Sequence, residues 1–185
     1  LSSTMIMLIF TARVIKVTNG ENGDHAGQLH NINFTIPDGQ VVLLCGESGC
    51  GKTTLTRLLN GLIPNYYEGR LEGRVFIDGK SIVEKPLYEI ASLTGSVFQN
   101  PRSQFFAVDT NSELAFGCEN LGIAENEIIA RMKRTVAELH IETLMDRSIF
   151  ALSGGEKQKI ACESAAIMEP EIFVLDEPSS NLDMD

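Results

Sequence analysis

Gly46–Thr53 reads GESGCGKT and fits the pattern G-x-x-x-x-G-K-[ST], in which glycines let the backbone curl closely around phosphate. Directly before it, Val41–Cys45 (VVLLC) is a continuous apolar run that predicts a buried parallel strand. After it, Leu55, Leu58, Leu59 and Leu62 recur at helical spacing. Strand, glycine-bearing turn and helix start, in that order, predict a nucleoside triphosphate site. Gly46, Glu47, Ser48, Gly49, Cys50 and Gly51 would form the cradle, with their N–H groups and the helix dipole turned toward anionic oxygens. Lys52 would reach the β- and γ-phosphates, the Thr53 hydroxyl would ligate Mg²⁺, and Thr54 completes the nucleotide-binding set.

Composition narrows the classes. A chain of 185 residues, 43% hydrophobic and 22% charged, suits one globular domain with a sizeable core. A net charge of −10 argues against a broad basic surface, so nucleic acid is not an expected partner. The N-terminal apolar run Met5–Phe10 is too short to cross a bilayer and lacks the flanks of a secretion signal, which predicts a cytoplasmic location. Residues 1–4 precede the candidate initiators Met5 and Met7 and are left out of the reading. Cys45, Cys50, Cys118 and Cys162 show no metal-ligand spacing and are expected to be reduced, mostly buried thiols; Cys50, beside Lys52 in the loop, is the one placed to react.

Residues 8–17, 30–36 and 74–77 are β-prone, the last followed by the turn pair Asp78-Gly79, which predicts an antiparallel β layer beside the nucleotide core. Pro64 is expected to end the helix that follows the loop. A strand is expected over 94–98, with a loop starting at Gln99. Residues 113–139 read as mainly helical, with Ile128, Ile129, Met132, Val136 and Leu139 on one apolar face. A last helix starts near Ser153, and Ile172–Leu175 is an apolar strand closed by Asp176-Glu177.

That closing pair carries chemistry. At the end of a buried strand, Asp176 can hold Mg²⁺ through its water shell while Glu177 faces the water that attacks the γ-phosphate as a candidate base. Leu152–Gln158, LSGGEKQ, is by itself a capping box, Ser153-x-x-Glu156, at a helix start. Lying between the phosphate loop and the acidic strand, it resembles the LSGGQ signature of the ATP-binding cassette (ABC) family. The resemblance implies a P-loop NTPase α/β core with an antiparallel β layer and a helical subdomain at about 100–165. It further implies that Ser153, Gly154, Gly155 and Glu156 meet the γ-phosphate held by a second, identical or paralogous, ATPase subunit. Gln99 in VFQNP matches the family's Q-loop, which touches Mg²⁺ and the attacking water. Ser180, Asn181, Leu182 and Asp183 match its D-loop. On this reading 5–185 is a single nucleotide-binding domain that uses ATP and Mg²⁺.

Gly95–Phe106 (GSVFQNPRSQFF) and Ser112–Ile123 (SELAFGCENLGI) resemble the ATPases of energy-coupling-factor importers and the related cobalt and nickel importers. This implies a motor that drives uptake of a vitamin or transition-metal ion, peripheral on the cytoplasmic face of the membrane. Its partners would be an integral membrane coupling protein and a substrate-binding membrane subunit. A soluble ABC ATPase acting on ribosomes or nucleic acid is the alternative, though the stretch from Thr53 to Leu152 is too short for a long coiled-coil arm plus the core. Two features depart from the family. Near the end of the first strand stand Thr18 and Asn19 in place of an adenine-stacking aromatic. The switch histidine would follow the D-loop by about thirty residues, beyond Asp185, and His25, His30 and His140 all precede the signature. The chain is therefore expected to be a C-terminally incomplete piece of a longer ATPase, turning ATP over poorly by itself.

Overall fold

A computed structural model describes residues 8–17, 28–37 and 39–176, with the backbone alone for 8–17, 28, 30, 31 and 70. Thr18, Asn19, His25, Glu177 and the D-loop positions 180–183 lie outside the described residues. The described residues form two compact units, divided between Thr94 and Gly95.

The first unit is built on a four-stranded antiparallel sheet. β1 (Leu8–Val17) pairs with β2 (Gln28–Ile36) on one side and with β3 (Gly69–Ile77) on the other, and β4 (Lys80–Ser81) closes the order β2-β1-β3-β4. The expected β layer is thus present, and β2 alternates as a strand of a half-buried sheet should. Ile32, Phe34 and Ile36 of β2 are partly buried between the exposed Asn33 and Thr35, while Val75 and Ile77 of β3 are buried beside exposed Arg74. Asp78 and Gly79 both have positive φ, the two-residue turn whose twist matches a hairpin, and join Ile77 to its partner Lys80. α1 (Lys52–Leu59) buries Leu55, Leu58 and Leu59, and α3 (Leu87–Leu93) buries Ile90.

Three expectations need correction in this unit. Val41–Cys45 forms no strand; Val41 is 98% exposed and Leu43 84%. Apolarity sets a demand for burial, but a strand also needs a neighbouring backbone, and no described segment pairs with this run. Cys45 is consequently exposed, as is Cys50, and of the four thiols only Cys118 is buried. Nor does Pro64 end the first helix: α1 stops at Leu59, the chain turns through left-handed Gly61, and Leu62 starts a separate one-turn α2 (Leu62–Asn65).

The second unit opens with β5 (Thr94–Val97), then a 3-10 turn Pro101–Ser103, α4 (Thr110–Asn120), α5 (Glu125–Glu138), α6 (Gly154–Ala166) and β6 (Ile172–Leu175). Asp109 starts α4 by accepting from Ser112 N at 2.9 Å. That bond holds the Asp109 carboxyl below its ordinary range. The three helices share a core of Leu114, Cys118, Ile128, Ile141, Leu144, Leu152, Ile160 and Ile167. On α5 Ile128 and Thr135 are buried and Met132 and Val136 partly so, whereas Ile129 and Leu139, expected on the same face, are exposed. Positions 128, 132 and 136 lie one turn apart on one stripe; Ile129 falls at its solvent-facing edge, and Leu139 lies just past the helix end.

β5 and β6 form a two-stranded sheet in which Asp176 N donates to Val97 O at 2.9 Å. The C-terminal ends therefore adjoin, so the two strands run in the same direction. α6 packs on β5 through Ala161, Ala165 and Val97. The approach is close: a Cβ at Gly95 would lie 2.7 Å from Pro170 Cγ and 3.3 Å from Ala165 O.

One buried charge stands out. Glu163 on α6 is 0% exposed, and neither carboxylate oxygen has a hydrogen-bond partner among the described residues. Desolvation, and secondarily Glu138, push its pKa up to about 7. Folding therefore favours the protonated form, a contribution fully present below the ordinary carboxylate range and lost as pH rises through about 7. Glu163→Gln, neutral at every pH and nearly isosteric, should leave stability little changed near pH 5 and raise it by roughly 2–4 kcal/mol near pH 8. Urea unfolding at the two pH values measures this; an equal effect at both would show that Glu163 is not held protonated.

Candidate functional site

The loop Gly46–Thr53 belongs to the first unit and folds back on itself. Lys52 Nζ donates to Gly46 O at 2.9 Å and to Glu47 O at 3.0 Å, and lies 3.9 Å from Cys50 Sγ. Cys50 N donates to Glu47 O at 3.3 Å. The ammonium thus sits inside the curl of the loop, encircled by the backbone that the motif predicts around phosphate. Gly51 precedes α1 with φ 99°, and a Cβ there would lie 2.5 Å from Leu29 Cδ2 of β2. The chain needs glycine at this point to turn from loop to helix against the sheet. Within the helix, Thr56 Oγ1 donates to Thr53 O at 3.0 Å, leaving Thr53 exposed at its first turn. Ser48 and Gly49 are exposed, and Thr54 is half-buried.

In the second unit, Gln99 follows β5 and Asp176 follows β6, so the Val97–Asp176 bond brings an amide and a carboxylate to the same end of the sheet. Gln99 is exposed and Asp176 half-buried. The segment after Gln99 is held from several sides. Asn100 Oδ1 accepts from Arg102 N at 3.1 Å, Gln104 Oε1 accepts from Phe98 N at 3.2 Å, and Glu113 Oε2 accepts from Phe106 N and Ala107 N at 2.9 and 2.8 Å.

Ser153 caps α6 in the capping box its spacing predicts. Its hydroxyl accepts from Glu156 N at 3.2 Å, and Glu156 Oε2 accepts from Ser153 N at 2.7 Å. Arg147 donates to Glu156 Oε1 at 2.8 Å, and the buried Lys157 ammonium donates to Leu152 O. The Ser153 backbone bond, then Arg147, hold the Glu156 carboxyl below its ordinary range. Gly154 and Gly155 thereby start a helix whose first turn already holds one anion, the Glu156 carboxylate, between the Ser153 amide and Arg147. Arg147, Gln104 and Glu113 are the site-organising residues that sequence patterns missed. Each acts over six to nine residues of irregular backbone with no fixed spacing to mark the pair, and Gln104 reaches further, to Ala161.

Comparison with known proteins gives a consistent picture. Residues 29–180 match the ABC transporter family. An ABC transporter ATP-binding protein of Treponema denticola is 52% identical over 162 residues, covering 88% of this chain and 33% of the relative. A Bacillus subtilis (strain 168) protein named for HMP/thiamine import, YkoD, is 40% identical over 161 residues, 86% of this chain and 29% of the relative. The chain thus spans about a third of the length of these curated relatives. Among solved structures, cbiO1 from Clostridium perfringens, described as part of the ABC transporter complex cbiONQ, superposes with a TM-score of 0.73 at 31% identity, over 93% of this chain and 68% of that one.

Gly51→Ala would place a methyl group against Leu29 in a backbone conformation that costs an L-residue roughly 1–2 kcal/mol. The expected outcome is a loop displaced from α1, with affinity for a fluorescent adenine nucleotide down by about tenfold or more and a modest fall in Tm. Unchanged affinity would show that the Gly51 geometry is not needed for the loop to bind.

Proposed function

Because the chain belongs to the ABC transporter family of ATP-binding proteins, we propose that it is the ATP-hydrolysing part of an importer of the energy-coupling-factor type, driving uptake of a vitamin or a transition-metal ion. The observation that carries the chemistry is the shared strand end, where the backbone bond from Asp176 to Val97 holds Gln99 and Asp176 on one side of the sheet. The transport assignment is supported by the relative named for HMP/thiamine import and by the structure described as part of the ABC transporter complex cbiONQ. No described helix is long and apolar enough to cross a membrane, which suits a subunit peripheral on the cytoplasmic face and docked to a membrane coupling protein and a substrate-binding membrane subunit.

The residues divide the work. Gly46–Gly51 and Thr54 wrap the phosphates of ATP with backbone amides. The Lys52 ammonium exchanges the carbonyls of Gly46 and Glu47 for β- and γ-phosphate oxygens. Thr53 and Asp176 offer a hydroxyl and a carboxylate, and Gln99 an amide oxygen. Oxygen donors of this kind are those Mg²⁺ takes. When bound, Mg²⁺ would neutralise phosphate charge, while the residues named orient the nucleotide. Glu177 accepts the proton of the attacking water. Ser153, Gly154, Gly155 and Glu156 present the start of α6 to nucleotide held by a second ATPase subunit, and Ser180–Asp183 cross between the two. Closing on two ATP molecules then moves the coupling protein, and hydrolysis resets the pair.

In the intact protein, Lys52→Ala should abolish tight Mg-ATP binding. Glu177→Gln should keep binding, lose turnover and trap the closed pair on size-exclusion chromatography. Hydrolysis by Glu177→Gln at the parent rate would remove its role as base. For the transport assignment, gentle solubilisation of tagged protein should bring down a small integral membrane protein together with a second ATPase. Recovery with ribosomes or nucleic acid in their place would move the chain to the soluble ABC proteins.

A further inference from the structure

Gln104 lies five residues beyond Gln99, and its side-chain amide is matched on three sides. Oε1 accepts from Phe98 N at 3.2 Å, while Nε2 donates to Ser96 O at 3.2 Å and to Ala161 O at 3.4 Å. One acceptor and two donors meet one backbone N–H and two carbonyls, so the side chain takes the place of a peptide unit wedged between the end of β5 and the middle of α6. The wedge reaches both elements because they pack so closely: Val97 lies against Ala161 and Ala165, and Gly95 leaves no room for a Cβ beside Ala165 O and Pro170. Beyond the wedge, Glu113 of α4 takes the amides of Phe106 and Ala107, and Phe105 packs into the core on either side of α6. The segment 98–107 is therefore held at both ends. The Phe98 bond applies that hold one residue from Gln99, and the Ala161 bond connects it to the helix that begins at the signature.

We propose that Gln104 is a positioning residue that locks the Gln99 loop to the signature helix α6, so that a shift of α6 is delivered to Gln99. This rests on the functional reading above, in which Gln99 and Ser153–Glu156 both face nucleotide. The three side-chain bonds of Gln104 all go to protein backbone, so it acts by setting where Gln99 stands. A wedge of this kind affects turnover and leaves the first encounter with ATP, made by Gly46–Thr54, largely alone.

The test is steady-state ATP hydrolysis by the intact protein, corrected for folded fraction. Gln104→Met keeps the side-chain length and removes the amide; kcat is expected to fall by about tenfold or more while KM for ATP stays within about threefold. Gln104→Glu keeps the acceptor for Phe98 N and sets a carboxylate against the Ser96 and Ala161 carbonyls. Protonation restores one donor, so its kcat relative to the parent should climb as pH falls from about 8 to about 6. A staple with no part in turnover would lower Tm in both variants and leave kcat per folded molecule near the parent's, and that result overturns the proposal. Should Gln104→Met fail to fold, the Gln104→Glu ratio decides, and a ratio flat with pH overturns it. A parent without ATPase activity, or one whose activity survives Lys52→Ala, would sink the functional reading itself; with an active parent and an inactive Lys52→Ala, the Gln104 results bear on positioning alone.

Discussion

The close packing of α6 on β5 is the constraint on which the second unit depends. It is set by what is missing: Gly95 has no side chain, and Ala161 and Ala165 have almost none. Helix and strand can therefore approach until backbone meets side chain, and β6, entered through Pro170, settles alongside β5 with its end held by the Asp176–Val97 bond. From this one contact follow the shared strand end of Gln99 and Asp176 and the reach of Gln104 to Ala161. A larger residue at 95 would separate the elements and break each of these relations together.

Polar groups around α6 are treated in two opposite ways. At its exposed start, Glu156 is satisfied twice, by the Ser153 amide and by Arg147, and stays ionised. Two turns further on, Glu163 is buried without a hydrogen-bond partner among the described residues and is driven toward its neutral form. Arg131 and Arg134 of α5 grip the far end: Arg131 bonds Glu127 at 2.9 Å and Glu169 at 3.1 Å, and Arg134 also pairs with Glu169. The helix is thus anchored by charge at both ends and by apolar packing between them, and Glu163, the carboxyl driven toward neutrality, falls in the apolar stretch.

The phosphate loop was legible because its chemistry is local. Gly49 and Gly51 take positive φ, and Lys52 reaches only carbonyls five or six residues away, so a short pattern suffices. The capping box at Ser153 and the hairpin turn at Asp78-Gly79 were readable for the same reason. Where reading failed, the missing quantity was a partner. Val41–Cys45 has the composition of a buried strand, yet no described backbone lies beside it. Ile129 has the apolarity of its helix face but falls at the solvent-facing edge of the stripe that meets α4 and α6.

The sequence by itself determined the ligand class, the order of the phosphate loop, signature and acidic strand, and the residue types each requires, because such motifs are satisfied by atoms a few residues apart. Tertiary structure alone decided that Arg147 would pair with Glu156, that Glu113 and Gln104 would hold the loop after Gln99, and that Glu163 would be buried without a partner. The pairings span only six to nine residues, but they cross irregular backbone with no fixed spacing, and the reach of Gln104 to Ala161 and the burial of Glu163 depend on how closely α6 packs, which no single segment encodes.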